Sequence, residues 1–519
     1  MGRLKRFGYV CLCFCILGIC TGCSMLSNIE ENLALAQERR AMEEYASSVN
    51  EHGFLVIVDD QEVQTSAYMS DEMHLMMPVG EAVSCLEIQW MPVEEGQTWV
   101  DVTMLMDDLG IIWNWDTETY ILKIQLDAEE KLPTQYDLRT YRSLNSVEDQ
   151  GIHGTCWAFA STAALEMMTS VEEGTRFSVD HMTMNNGFAI SPTDGGDYNM
   201  AIAYLSAWRG PVSEENDPYG DGVTNSEVSA EKHLQEAQIL KEKDIDEMKR
   251  MIMEYGGLES PIYMSISHAE DESLDYNTDH SAYYYSGDQE ANHDVVIVGW
   301  DDHFSRAYFN QMPQQDGAFI CRNSWGESFG EDGYFYVSYE DVVLGKQAAA
   351  YTRLENPDNY TRIYQSDMLG WVGTLGYGAE TAWFSNVYRA YDDEVLKAAG
   401  FYAVEEESCY DLYVVPDYTQ IENLAQRIYV GSGYLEKSGY YTIELEESVR
   451  LDAGKEFAMI VCMTTKGCDR PIAIEYAASD LTANAVLDDG KGYVSFDGIT
   501  WTSAEQEYGC NICLKAFTD

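Results

Sequence analysis

Residues 147–170, VEDQGIHGTCWAFASTAALEMMTS, place Cys156 where a polar loop gives way to a run rich in Ala, Met and Leu. That run has no Pro or Gly and is apolar on most faces, which predicts a buried helix. A thiol in its first turn would lie near the positive end of the helix dipole and beside free backbone N–H groups, where a thiolate is stabilised. Buried free cysteines are also commonly inert. This segment alone therefore predicts either a nucleophile or a core thiol.

Two later segments carry the side chains that a cysteine nucleophile needs. NHDVVIVGWDD places His293 ahead of a β-branched strand, and GAFICRNSWGESFGEDGYFYVSY places Asn323 between a strand and a Gly-rich turn. Together with LPTQYDLR and the segment around Cys156, they resemble the papain-like (C1 family) cysteine peptidases. His293 follows Cys156 by 137 residues, within the roughly 130–150 residues typical of that family.

The resemblance implies a role for each residue of the site. Cys156 would be the thiolate nucleophile, with His293 as its ion-pair partner and then the general acid for the leaving amine. Asn323 would orient the imidazole and fix its tautomer. Gln150 and the backbone N–H of Cys156 would bind the developing oxyanion, each such donor being worth roughly 3–4 kcal/mol.

Four further residues are implied to contact or enclose the substrate. Trp325 would cover the bond between His293 and Asn323 and keep water from it. In DGGDYNMA, Gly195 and Gly196 match the glycine pair that binds the substrate backbone as an extended strand, although a plain Gly turn fits the same letters. Asp294 is expected to face the pocket for the second substrate residue on the acyl side, where it would favour a basic side chain.

One feature common in the family is missing. Many members bridge a Cys three residues before the nucleophile to a Cys just before the glycine pair, but this chain has His153 and Thr193 at those positions. Because both ends are absent together, we expect that the bridge is lost and the site is kept. Packing must then hold Cys156 in place. His153 occupies a structural position and is not the expected base.

Composition and charge limit the partners of this 519-residue chain. It is 45% hydrophobic, so it can form several packed cores, and its formal net charge is −58. Such an acidic surface repels phosphate backbones, which excludes nucleic acid as an expected partner. A peptide or protein is the expected substrate. The sequence predicts no cofactor and no metal site.

The N-terminal residues have the pattern of a targeting signal followed by a spacer. Residues 1–23 combine a basic start with an apolar run too short to span a bilayer, which is typical of a secretory signal. Their end, CTGC, resembles a bacterial lipobox with Cys23 as the lipidated residue. We therefore expect export and a membrane link through lipid alone, with secretion after an ordinary cleavage as the alternative. Residues 24–52 are predicted to form a helical spacer, or alternatively part of an inhibitory pro-segment.

Two more domains flank the predicted peptidase. Residues 53–128 alternate like short strands around a helical insert and resemble the copper amine oxidase N-terminal-like stalk domain, here with no His cluster for copper. Residues 356–519 are aromatic, strand-like and punctuated by Gly, which predicts a β-sandwich. They resemble the lectin-like domain of bacterial surface peptidases, which implies a carbohydrate ligand or a docking role. The five cysteines of this last region are expected to form one or two disulfides.

The sequence thus predicts a multidomain α+β protein. A papain-like two-lobe peptidase domain at 132–350 lies between a small α+β stalk domain and a C-terminal β-sandwich. The predicted function is a surface-anchored endopeptidase that forms a thioester acyl-enzyme intermediate. A cell-wall peptide amidase or transpeptidase, and an inactive adhesin with a peptidase fold, are the alternatives.

Overall fold

A computed structural model describes two compact units, 1–131 and 132–519. In the first unit it describes residues 55–58, 61–63, 65–69, 74–86, 99–103, 106, 111–116 and 121–125; in the second it describes residues 132–168, 176–191, 193–267, 271, 273–488 and 490–519. The predicted signal with Cys23 and the predicted spacer at 24–52 lie outside these residues. None of the helices in the described part is long and apolar enough to cross a membrane.

The N-terminal unit contains two small sheets. One has the strand order β2-β1-β7-β6, with β1 and β7 parallel, and the other has the order β3-β4-β5. Its elements are β1 (Leu55–Val58), β2 (Gln61–Val63), β3 (Tyr68–Met69), β4 (Leu75–Pro78), α1 (Val79–Cys85), β5 (Trp99–Asp101), β6 (Ile112–Asp116) and β7 (Ile121–Gln125). Val56, Leu122 and Ile124 are buried at the centre of the first sheet. The likeness to a copper amine oxidase stalk remains a prediction.

The first half of the peptidase region is mainly helical. Its helices are α2 (Leu138–Tyr141), α3 (Cys156–Met168), α4 (Val179–Asn185), α5 (Tyr198–Ser206) and α6 (Ile245–Tyr255). Ser178, Asp197 and Asp244 begin α4, α5 and α6 by accepting hydrogen bonds from backbone N–H groups of the first turn, as N-cap residues do. Almost every residue of α3 is buried. This agrees with the apolar pattern of its sequence on most faces.

The second half is mainly β-sheet. Its strands are β8 (Gln135–Asp137), β9 (His233–Leu240), β10 (Leu258–Ile262), β11 (Tyr276–Asn277), β12 (Ala282–Tyr283), β13 (His293–Asp301), β14 (Ala318–Arg322), β15 (Tyr334–Ser338) and β16 (Ala348–Glu355), with a short 3₁₀ helix at Arg306–Tyr308. Strand β13 is antiparallel to both β10 and β14. It also packs against α3, so the start of β13 lies beside the start of that helix.

The C-terminal region is a sandwich. Its strands are β17 (Arg362–Tyr364), β18 (Gly373–Leu375), β19 (Thr381–Arg389), β20 (Glu394–Ala403), β21 (Ser408–Tyr418), β22 (Ile428–Leu435), β23 (Ser438–Leu451), β24 (Glu456–Thr465), β25 (Ile472–Glu475), β26 (Gly492–Ser495), β27 (Thr502–Ser503), β28 (Asn511–Ile512) and β29 (Leu514–Thr518); α7 is Ala504–Tyr508, with 3₁₀ turns at Ile421–Gln426 and Asp480–Thr482. Phe401 and Tyr441 from one sheet share a core with Leu412 and Phe457 from the other.

The peptidase and the sandwich share one continuous sheet. Its order is β11-β12-β15-β14-β13-β10-β16-β9-β23-β20-β29-β17, with β8 paired to β13. Strand β9 joins the two regions, because it is antiparallel to β16 on one side and to β23 on the other. The acidic run of residues 213–250 predicts a solvated helical face, but six of the eight β9 residues are buried.

The eight cysteines in the described chain are all free thiols. The expectation of one or two disulfides in the C-terminal region is therefore wrong. Cys510 and Cys513 are each buried within the sandwich, and Cys513 is placed 3.2 Å from the carbonyl oxygen of Gly370. Across the described residues, no group of three or more His, Cys, Asp or Glu side chains is arranged to hold a metal ion.

Candidate active site

Cys156 is the first residue of α3 and is only 8% exposed. The carbonyl of Thr155, the residue before it, accepts the N–H groups of Ala158 and Phe159 and so starts the helix. The thiol therefore occupies the first turn, near the positive end of the helix dipole. Burial raises the pKa of the Cys156 thiol to about 12, and the nearby Asp294 carboxyl acts in the same direction.

His293 and Asn323 are brought together by two neighbouring strands. His293 begins β13, Asn323 directly follows β14, and these strands are antiparallel. His293 Nε2 lies 2.7 Å from Asn323 Oδ1, and both side chains are buried. The same oxygen accepts the N–H of Ser324 at 2.8 Å, which identifies it as the amide oxygen. Because an amide oxygen only accepts, Nε2 must carry the proton, and Nδ1 of the neutral ring is left as the base.

Trp325 lies over the imidazole. The ring centroids of His293 and Trp325 are 5.0 Å apart at 41°, and Phe329 packs edge-on against the indole at 5.0 Å. Two aromatic rings therefore pack on the imidazole side of the His293–Asn323 bond. Burial also lowers the pKa of the His293 imidazole to about 4, while the hydrogen bond to Asn323 opposes that shift.

These shifts disfavour a lone thiolate and a lone imidazolium. Transfer of the thiol proton to a neighbouring imidazole would create both charges at once, and attraction between adjacent opposite charges offsets part of the cost of desolvation. The placement of Cys156 beside Asp294, the residue that follows His293, is consistent with such a transfer. Such a transfer would supply a nucleophile and an acid from the same proton.

Gln150 is held by hydrogen bonds through its backbone N–H and through both atoms of its side-chain amide. Its N–H donates to the Ser324 carbonyl at 2.8 Å, and its Oε1 accepts from the Ser324 hydroxyl at 2.6 Å. Its Nε2 donates one hydrogen to the His153 carbonyl at 2.7 Å. An amide nitrogen carries two hydrogens, so the second can serve an oxyanion. Ser324 thus couples Gln150 to Asn323, a link that sequence reasoning missed because the serine follows Asn323 with no motif of its own.

Asp294 lies next to the nucleophile and is 7% exposed. Its Oδ2 is 4.0 Å from Cys156 Sγ, whereas its Oδ1 has no partner among the described residues. Burial raises the pKa of this carboxyl to about 7, and the charge of Asp197 at the start of α5 adds to the shift. An acid placed here can carry a negative charge near neutral pH with one oxygen still free for a cation.

The second residue of the glycine pair, Gly196, lies against the helix of the nucleophile. Gly195 has φ +85°, and a Cβ on Gly196 would lie 2.6 Å from the Trp157 indole. The backbone can approach α3 this closely only without a side chain. A Cβ on Gly154 would lie 2.7 Å from the Gly195 nitrogen. The two loops that a disulfide joins in other members therefore remain in contact in this chain, where His153 replaces one Cys.

Comparison with known proteins agrees with this geometry. Residues 132–352 match the model of the papain family cysteine proteases, and residues 363–518 match the lectin like domain. This chain carries a papain-family cysteine protease domain. Its fold is multidomain α+β, with the protease domain followed by a β-rich lectin-like domain.

Individual relatives cover either the protease or both regions. Viral cathepsin of Choristoneura fumiferana nuclear polyhedrosis virus is 27% identical over 247 residues, which are 46% of this chain and 69% of that protein. Cysteine proteinase 15A of Pisum sativum is 28% identical over 226 residues, 41% of this chain and 60% of that protein. Both similarities are of the length expected for the protease domain.

Two solved structures extend the likeness. A clostridial cysteine protease, Cwp84, after propeptide cleavage is 24% identical with a TM-score of 0.66, and covers 74% of this chain and 99% of its own. The cysteine protease and lectin-like domains of Cwp84, a surface layer associated protein of Clostridium difficile, are 23% identical with a TM-score of 0.64, and cover 75% of this chain and 89% of their own. At these identities the likeness shows a shared fold.

Proposed function

We propose that this protease is an endopeptidase whose nucleophile is Cys156. His293 Nδ1 takes the thiol proton, and the sulfur attacks the peptide carbonyl. The Cys156 N–H and the second Nε2 hydrogen of Gln150 bind the oxyanion. His293 then gives its proton to the leaving amine, which departs and leaves a thioester. Water, deprotonated by the same imidazole, hydrolyses the thioester and frees the thiol.

The observation that carries this proposal is the bond between His293 Nε2 and Asn323 Oδ1. It fixes the proton on Nε2 of His293 and leaves Nδ1 as an acceptor. The next residue in the chain, Asp294, lies 4.0 Å from the Cys156 thiol. An unreactive adhesin would need neither this tautomer nor the tied amide of Gln150. The packing of Gly196 against Trp157 of α3, and of Gly195 against Gly154, supports their proposed contact with the substrate backbone.

We further propose domain limits of 132–350 for the peptidase and 356–519 for the lectin-like domain. The protein is proposed to act on peptides or proteins at the bacterial surface, exported by residues 1–23 and anchored through lipid on Cys23. The description of Cwp84 as surface layer associated supports this location by similarity. The match to the lectin like domain supports a carbohydrate ligand for that region.

The products made in the presence of a competing amine separate the alternatives. The full chain is incubated with a protein substrate, an amino acid amide and ¹⁸O-labelled water, and the products are weighed by mass spectrometry. An endopeptidase gives internal cleavage with ¹⁸O in the new carboxyl groups. Products capped by the amine would instead indicate a transpeptidase, and an absence of Cys156-dependent products would contradict peptide hydrolysis.

Asp294 is proposed to select a basic side chain at the second substrate position on the acyl side. Its free Oδ1 beside the nucleophile could receive an ammonium or guanidinium group. Because its pKa is about 7, the carboxyl gains its charge as the pH rises through that value. In the protein with Asp294 intact, the ratio of kcat/KM for Arg over Leu substrates should therefore rise between about pH 6 and pH 8.

Asp294→Asn is the matched variant, because the amide keeps the shape and cannot ionise. Paired fluorogenic peptides that differ only in Arg or Leu at that position measure the ratio across the pH range. The variant should show a lower ratio, about 10-fold below that of the parent at pH 8, with no dependence on pH. A ratio in the parent that is equally flat would show that Asp294 does not contact this side chain.

A further inference from the structure

The loop from Gln150 to Thr155 is closed by a phenol that no catalytic motif includes. Tyr219 Oη donates to the carbonyl oxygen of Gln150 at 2.8 Å and lies 2.8 Å from Thr155 Oγ1. Since the carbonyl only accepts, the phenolic proton belongs to that bond, and the Thr155 hydroxyl must donate to Tyr219. A chain of two hydrogen bonds therefore joins the residue before Cys156 to the residue that holds the oxyanion-binding amide.

The ring of Tyr219 also packs on the nucleophile helix. It meets Phe159, one turn after Cys156 on α3, edge-on with centroids 4.8 Å apart. It meets His153 inside the loop in the same edge-on manner at 6.4 Å. One side chain therefore contacts the helix through its ring and both ends of the loop through its hydroxyl.

The segment that presents Tyr219 is itself anchored. The Tyr219 N–H donates to the carboxylate of Glu214 at 2.8 Å, and the next N–H, of Gly220, donates to Asp180 on α4 at 2.8 Å. Asp217 is buried and accepts the N–H of Asn225 at 3.0 Å. The backbone that carries the phenol is thus anchored to Glu214 and to Asp180 of α4, so the Tyr219 side chain can hold the loop in one position.

We propose that Tyr219 is a positioning residue that sets the oxyanion site by fixing Gln150 relative to Cys156. The inference rests on the proposed function, because it assigns the oxyanion to Gln150 and the Cys156 N–H. Where other members bridge this loop covalently, this chain has His153, and the hydrogen bonds of Tyr219 restrain the same loop.

Tyr219→Phe tests the proposal because it keeps the ring and removes only the hydroxyl. Displacement of a reacting group by about 1 Å costs roughly 10²-fold in rate, so kcat should fall by about 10-fold to 100-fold with KM unchanged. A peptide aldehyde, whose hemithioacetal oxygen occupies the oxyanion site, should lose a similar factor in affinity. Iodoacetamide alkylation of Cys156 forms no oxyanion, so its rate and pH profile should stay unchanged.

Two further variants separate positioning from folding. Thr155→Val breaks the same chain at its other end, and the double variant should be no slower than the slower single variant. Tyr283→Phe is the matched control, because Tyr283 also donates to a backbone carbonyl, that of Tyr263, and accepts a backbone N–H. Its kcat should stay within twofold of the parent.

Three outcomes would overturn the inference. Tyr219→Phe could keep kcat within twofold, which would leave its hydroxyl without a role in the reaction. Its alkylation rate could fall as far as its kcat, which would indicate a general structural defect. If the parent protein shows no hydrolysis that depends on Cys156, the proposed function fails, and this inference fails with it.

Discussion

Replacing His293 with alanine is expected to lower kcat for peptide hydrolysis by at least about 10³-fold. The imidazole both accepts the thiol proton and protonates the leaving amine, and removal of such a shared acid and base commonly costs this much or more. Burial, together with the nearby Asp294 carboxyl, raises the pKa of the Cys156 thiol to about 12. Without the base, alkylation of the thiol should therefore rise steadily with pH up to strongly alkaline conditions, with no plateau near neutrality.

His153→Ala is the informative comparison. His153 is nearer to Cys156 in the sequence, but the structure places its ring beside Tyr219. We expect this variant to keep kcat within about 10-fold of the parent, since it alters packing of the loop and removes no reacting group. Steady-state assays and alkylation rates measure both variants. A larger loss for His153→Ala than for His293→Ala would contradict the assignment of the base.

Removal of the lectin-like domain is expected to prevent the protease domain from folding as a soluble protein. Strand β9 would lose its pairing with β23 and become an edge strand. Most of its residues are buried in the full chain and would then be exposed to solvent. Such edges pair with other chains and aggregate. Trp208, which lies between His233 of β9 and Phe517 of β29, would also lose one of its two aromatic neighbours. A chain ending at residue 355 should aggregate or elute as large oligomers on size exclusion.

A point substitution tests the same interface without deletion. Gly439 in β23 has φ +150°, and a Cβ there would lie 2.0 Å from the Ala237 carbonyl oxygen of β9. Gly439→Ala should lower Tm by several degrees, since 1 kcal/mol shifts Tm by about 2–4 °C in domains of 150–250 residues. Gly454→Ala is the control, because its φ is also positive but nothing lies within 4 Å. Equal Tm values for the two variants, or a truncated chain with full activity, would show that the domains are independent.

The residues of the candidate site could be predicted from the sequence because they lie in short segments. Cys156 lies at the start of an apolar run, and His293 and Asn323 adjoin two β-branched or aromatic strands. Each segment reports its local structure through periodicity, and the family resemblance supplies the pairing between them. In the structure, His293 and Asn323 are hydrogen-bonded, and Trp325 lies over the imidazole.

Other features depend on contacts between distant segments that no local pattern reveals. The Ser324 bonds to Gln150 and the Tyr219 bonds to Gln150 and Thr155 join residues between 64 and 174 positions apart. Strand β9 reads as part of an acidic helical stretch, yet pairing with β16 and β23 makes it a strand. Tertiary context routinely overrides local propensity in this way. The expectation of disulfides was wrong for a similar reason, because pairing depends on where the fold places each thiol. Cys510 and Cys513 are each buried as free thiols.

The central claim, that Cys156 is the nucleophile, is tested most directly by covalent labelling of the full chain with an irreversible peptidyl epoxide. Peptide mapping should locate one inhibitor per chain on Cys156, with hydrolysis falling in proportion to labelling. Cys156→Ala should take up none, and the exposed thiol of Cys409 should stay unmodified. Labelling at another residue, or hydrolysis that persists in Cys156→Ala, would contradict the account.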